Sequence, residues 1–249
     1  MAMLAVGTAG CKTTESVEPS PTLAMASAAG ADGQLRQASN AWGERYRANP
    51  KDPTAAINYA QALRGLGERS QASAVLEQAA IQNPKSMELL GAYGRALADT
   101  GNYQQALDVL GRAHTPDRPD WHILSVQGAV LDQMGRHEDA QRYYATALKI
   151  VPDEPSVLSN YGLSYALAKD LVRAEMTLRR AAARSRDPRV RQNLALVVGL
   201  QGRFAEAESI ARADLPPDDA AANVAYLRQM LAQQNGMQQA QQPPRPSRS

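Results

Sequence analysis

A single cysteine, Cys11, leaves this chain of 249 residues no internal disulfide, and its place near the start gives it no structured pocket for catalysis or metal binding. Histidine is almost as scarce. His114, His122 and His137 are dispersed, none stands at helical spacing from another, and no cysteine is near to complete a ligand set. They read as surface residues, and no metal is expected. Neither charge prevails: 27 basic side chains face 25 acidic ones for a net +2, without the polybasic block that nucleic acid or an anionic membrane surface requires. No glycine-rich phosphate loop or nucleophile elbow occurs, and acids such as Glu138, Asp139 and Glu206 read as members of solvated helices. These absences point to a non-enzymatic chain with no cofactor, no nucleic-acid partner and no small-molecule substrate. Aromatic residues make up only 5% of it, yet the hydrophobic share of 44% leaves ample apolar surface to bury.

What is present is an internal repeat. Gly67, Gly101 and Gly135 are 34 residues apart, and the same interval separates Ala72, Ala106, Ala140 and Ala174, and again Ala60, Gly94, Gly128 and Gly162. Three independent slots thus report one period, that of the tetratricopeptide repeat, which asks for a small residue in a first helix, a glycine at the turn, an alanine in the second helix and a closing proline. The fold class expected is all-α: a right-handed solenoid of antiparallel helix pairs with capping helices at both ends. The repeats read as 53–84, 87–118, 121–152, 155–186 and a degenerate 188–215, preceded by a half-repeat at 33–50 and followed by a capping helix at 220–233. Ala60, Gly94, Gly128 and Gly162 fall where the two helices of a repeat cross, a place that rejects larger side chains. Leu76, Leu110, Tyr144 and Leu178 are the bulky knobs opposite, and Pro84 and Pro152 end their helices. The irregularities are local. Pro119 falls one residue late, Lys169-Asp170 replaces the fourth turn glycine, and Gly202 and Ala207 arrive one residue early.

Stacked helix pairs generate a concave surface, lined by first helices, that receives a segment of another protein. The register projects Gln61, Arg64, Arg95, Asp99 and Asp132 into it from the earlier repeats, and Leu163, Leu167, Gln192, Leu196 and Leu200 from the later ones, so the groove should change from polar to apolar. The leucines stand four apart in pairs and stack on one face of each helix. They form either an apolar docking patch or the seat of the final capping helix. The slots that in some tetratricopeptide domains hold a chain-terminal carboxylate read Ile57, Gln61 and Ala92, without the cationic donors that task needs.

Outside the repeats, residues 12–32 read as a flexible linker and 234–249 as a disordered Gln/Pro tail. Residues 3–11, small and apolar with Ala9-Gly10 before Cys11, resemble the end of a bacterial lipoprotein signal, which makes 1–11 a partial signal and Cys11 the lipidated residue. The alternative is an N-terminal tail with an incidental cysteine.

Two segments go beyond a generic repeat. Leu158 to Ala183, LSNYGLSYALAKDLVRAEMTLRRAAA, and Val190 to Leu231, VRQNLALVVGLQGRFAEAESIARADLPPDDAAANVAYLRQML, resemble the TadD family, the tetratricopeptide lipoproteins of tight-adherence (Tad/Flp) pilus systems, with similarity running from residue 37 to 231. That resemblance implies a lipid-anchored accessory factor on the periplasmic face of the outer membrane, whose protein partner is the pilus secretin or another assembly component. Lys12 after the cysteine is compatible with outer-membrane sorting. A lipoprotein adaptor for cell-wall or outer-membrane assembly, and a cytoplasmic adaptor, remain as alternatives.

Overall fold

The computed structural model describes residues 21–240, with side chains over 32–233. The candidate signal, Cys11, the first part of the expected linker and the end of the tail lie outside the described residues. Among the described residues twelve helices follow one another: α1 (Pro21–Ala48), α2 (Pro53–Gly65), α3 (Arg69–Gln82), α4 (Met87–Asp99), α5 (Tyr103–Leu110), α6 (Trp121–Gln133), α7 (His137–Ile150), α8 (Pro155–Leu167), α9 (Leu171–Ala182), α10 (Pro188–Leu200), α11 (Phe204–Ala211) and α12 (Pro217–Ala240). Among the described residues there is no β-strand, and no helix is long and apolar enough to cross a membrane.

Local chemistry starts each first helix. Asp52, Asp120, Glu154 and Asp187 accept a hydrogen bond from the backbone N–H two residues on, and Ser86 from the N–H three residues on. Each satisfies one of the orphan donors of a helix start. Proline then occupies the first position of α2, α8 and α10, where its missing N–H costs nothing.

The turn between paired helices is equally uniform. Gly67, Gly101, Gly135 and Gly202 adopt φ between 75° and 81°. The N–H of the next residue donates to a carbonyl five residues back, Glu68 to Leu63, Asn102 to Leu97, Arg136 to Leu131 and Arg203 to Val198, so the helix ends in a Schellman motif. In the fourth repeat Lys169 takes the same left-handed conformation, φ 65°, and Asp170 donates to Tyr165. The turn therefore survives the loss of glycine, at the steric cost a Cβ incurs there.

Packing follows from the small-residue slots. A Cβ added to Gly94 would stand 2.5 Å from Leu110 Cγ, one on Gly128 2.7 Å from Tyr144 Cε1, and one on Gly162 2.6 Å from Leu178 Cγ. These are the crossing points and knobs that the period implies. Ala72, Ala106, Ala140, Ala174 and Ala207 are buried without remainder, so successive helices approach closely along one elongated core. First helices also touch first helices, α2 with α4, α4 with α6, α6 with α8 and α8 with α10, which lays their free faces side by side.

Two ends differ from expectation. α1 begins at Pro21, so 21–32, read as linker, is helical; α12 runs from Pro217 to Ala240, beyond the expected cap at 220–233. Both extensions are rich in alanine or glutamine and adjoin a helix already nucleated, so propensity alone carries them onward.

Candidate binding groove

The polar half of the groove is built by α2, α4 and α6. Arg64 near the end of α2 forms an ion pair with Asp99 at the end of α4. Beside them opens a cavity of about 400 Å³ lined by Arg64, Arg95, Asp99, Ser125, Gln133 and Asn160 among others. Towards the starts of α4 and α6 lies a second, of about 390 Å³, whose walls include Met87, Gly91, His114, Asp120 and Ile123. Arg95 lines both, and also a small cavity shared with Ile57 and Gln61. Its guanidinium is half-buried, and among the described residues no carboxylate stands within ion-pair distance of it. Burial and then the charge of Arg64 push its pKa down, against a weaker pull from Asp120. That acid is itself occupied. Burial would raise the Asp120 pKa, but the backbone and ring of His122 and the Ile123 N–H hold it below the usual carboxylate range.

Gln61, Arg64, Arg95 and Asp99 are thus brought together, whereas Asp132 is not among them. Its carboxylate accepts from Ser164 Oγ at 2.8 Å and from the Tyr144 hydroxyl at 3.1 Å, and it meets His137 Nδ1 at 2.8 Å. Only 7% of its side chain is exposed. The residue projected as a groove acid ties α6, α7 and α8 together instead. Burial, then the charge and hydrogen bond of Asp132, raise the Tyr144 pKa far above its ordinary value. The histidines also depart from a surface reading. His137 is partly buried in this network, and His114 Nε2 lies 3.3 Å from Gln127 Oε1 while its Nδ1 is enclosed without a partner; His122 alone is open to solvent, stacked on Trp121.

The later leucines divide. Gln192 and Leu196 line a cavity of about 300 Å³ against α12, with Leu215, Tyr226, Leu227 and Met230. Leu167 is 54% exposed and Leu196 43%, while Leu163 and Leu200 are half-buried, so the capping helix covers the apolar face only in part. It seats on Gly199, where an added Cβ would lie 2.5 Å from Leu227 Cδ2.

Comparison with known families agrees with this geometry. A model described as anaphase-promoting complex, cyclosome, subunit 3 matches residues 33–113, and two tetratricopeptide-repeat models match 126–189 and 188–213. The chain is a tetratricopeptide-repeat solenoid. Among solved structures it resembles PilW, described as a widely conserved type IV pilus biogenesis factor, with a TM-score of 0.68 and 20% identity over 82% of this chain and 96% of that one. It also resembles a tetratricopeptide protein of Thermus thermophilus, with a TM-score of 0.61 and 24% identity over 71% of this chain and 98% of that one. A third is PilF of Pseudomonas aeruginosa, with a TM-score of 0.55 and 19% identity over 80% and 85%. At these identities the likeness is one of fold. No curated protein matches the chain.

Within the solenoid, one slot serves different ends in different repeats. Arg64, Ala98, Asp132 and Ala166 are equivalent by the 34-residue period, and so are Gly65, Asp99, Gln133 and Leu167. The first slot lies between adjacent first helices, where Arg64 reaches forward to Asp99 and the shorter Asp132 reaches Ser164, Tyr144 and His137. Gln133, Ser125 and Asn160 were missed in sequence, although the period places Gln133 opposite Asp99 and would have found it. Asn160 donates to Ser125 Oγ at 3.4 Å and Asn193 to Ser159 Oγ at 3.0 Å, the same cross-repeat bond one unit later. Two of the acids read as members of solvated helices are engaged by arginines. Glu206 pairs with Arg179 and Arg203, and Asp139 with Arg136 and Arg142. Among the described residues no group of histidine, cysteine, aspartate and glutamate side chains is placed to hold a metal ion.

Proposed function

We propose that this solenoid is a non-enzymatic protein-binding scaffold, an accessory factor of Tad/Flp pilus assembly that is lipid-anchored through Cys11 to the periplasmic face of the outer membrane and holds the secretin or another assembly component. The observation that carries the scaffold reading is the row of first helices: their free faces form a polar groove with open cavities around Arg95, followed by partly exposed Leu167 and Leu196. A surface of this kind suits a chain-like partner, with side-chain amides such as Asn160 available to a peptide backbone. The pilus assignment is supported by the resemblance of 158–183 and 190–231 to TadD, and by the likeness in fold to a type IV pilus biogenesis factor. Anchoring would raise the local concentration of the groove near membrane-embedded machinery.

Crosslinking in intact cells, with the protein expressed from its native locus under a C-terminal tag, tests the reading. Enrichment of the secretin or other pilus components is the expected result. Recovery of only wall enzymes, or only cytoplasmic proteins, would overturn it. The mass of the mature N-terminus checks the anchor: an acylated Cys11 is expected, and an unmodified one excludes it.

A further inference from the structure

Arg95 is an expensive residue in the structure as it stands. A half-buried guanidinium without an ion-pair partner among the described residues loses hydration and gains no carboxylate in return, and Arg64 beside it adds repulsion. The acid that pulls on it electrostatically, Asp120, caps α6 and holds His122. Asp99 is taken by Arg64. The remaining acid along the cavities, Glu88, lines the second one without pairing with Arg95. What the site lacks is an acceptor with a full negative charge.

We propose, building on the protein-binding reading above, that Arg95 is the recognition point for an internal acidic side chain, aspartate or glutamate, of an extended partner segment that lies in the groove over α4 and α6. Internal placement follows from the geometry. Arg95 lies between two open cavities, one towards the ends of α4 and α6 and one towards their starts, so a chain can enter past Gln133 and Asn160, present its carboxylate to Arg95, and leave past Gly91 and Ile123. Gly91 lets the buried Ile123 pack close against α4 in the floor of that exit, since a Cβ there would stand 2.6 Å from Ile123 Cδ1. A chain terminus would need a closed end with several donors, and Ile57, Gln61 and Ala92 do not supply it. A planar guanidinium matches a carboxylate with two parallel hydrogen bonds, and partial desolvation strengthens the pair.

The test uses the full chain and three fluorescent nine-residue peptides of alanine, serine and leucine: one amidated with a central glutamate, one amidated with a central glutamine, and one with the central glutamine and a free C-terminal carboxylate. Fluorescence anisotropy is read at low and moderate salt with the natural protein, Arg95→Gln, and Arg142→Gln on the exposed α7 surface as a control. The glutamate peptide should bind about tenfold more tightly than the glutamine one, the size of a charge-assisted pair in a partly desolvated site. The preference should fall within about twofold in Arg95→Gln, persist in Arg142→Gln and weaken with salt. Absence of a glutamate preference, including absence of saturable binding by any peptide, overturns the proposal, as does a preference that survives Arg95→Gln. Tighter binding of the free-acid peptide overturns the internal placement. Cellular crosslinking separates this inference from the pilus reading. A pilus component captured equally by the natural protein and Arg95→Gln sinks the anchor residue alone, whereas a glutamate preference with no pilus component captured sinks the pilus reading alone.

Discussion

Asp132→Ala is expected to uncouple the third repeat from the fourth. The carboxylate is the common acceptor of Ser164, on α8, and Tyr144, on α7, and both side chains are buried to within 1%. Removing it leaves two buried hydroxyls and His137 without their acceptor. Each stranded group costs about 1–3 kcal/mol, and rearrangement or an entering water relieves part of that, so a total of about 3 kcal/mol is a reasonable expectation. For a folded unit of this size that lowers the melting midpoint by roughly 6–12 °C. Because a solenoid is held by nearest-neighbour interfaces, the transition should also broaden, with the repeats before and after the break melting apart. Circular dichroism during heating reads the midpoint, and amide hydrogen exchange should show protection lost first in α6 to α8. Asp132→Asn, which keeps an acceptor oxygen, should recover more than half of the loss. A midpoint within about 1 °C of the natural protein in Asp132→Ala would refute the network and return Asp132 to the groove.

Arg95→Met should raise stability by about 1 kcal/mol, a gain of roughly 2–4 °C, because it removes an unpaired charge and keeps the apolar stem; a lowered midpoint in a thermal melt would contradict the burial argument. Lys169→Gly should stabilise by about 1 kcal/mol in urea denaturation, since the φ of 65° strains a residue with a Cβ; no change would place the strain elsewhere. Gly128→Val should cost about 2–3 kcal/mol, because an added Cβ meets Tyr144 within 3 Å and the few tenths of a kcal/mol that a β-branched residue gains over glycine in a helix do not offset the overlap. Acid should weaken the end of the solenoid through Asp214, whose pKa the Arg191 guanidinium holds below the usual carboxylate range. A depressed folded pKa contributes stability above the unfolded value of about 3.9 that is lost as pH falls through the folded one, so Asp214→Asn should flatten the acid limb of a stability profile below about pH 4.

Where the residues of the candidate groove sit was legible in the primary structure for some and not for others, and the reasons differ by residue. Arg64, Arg95 and Asp99 could be placed because each repeat reproduces the same backbone, so a position counted from the helix start has a fixed direction. Asp132 could not be placed correctly by the same count. Its slot is right, but whether a side chain there turns to the groove or to the next helix depends on its length and on a serine at position 164. The helical start of α1 at Pro21 was hidden because an alanine-rich stretch without an apolar period gives no packing signal.

By itself the sequence determined the period, the turns, the crossing points and hence the solenoid, because each of these rests on contacts within one or two repeats and on residue types that fit nowhere else. Only the tertiary structure decided which groove residues are free and which are spent: Asp99 on Arg64, Asp120 on His122, Asp132 on Ser164 and Tyr144, with Arg95 left among them. Pairing depends on distances between helices a repeat apart, and a periodic sequence fixes directions without fixing those distances.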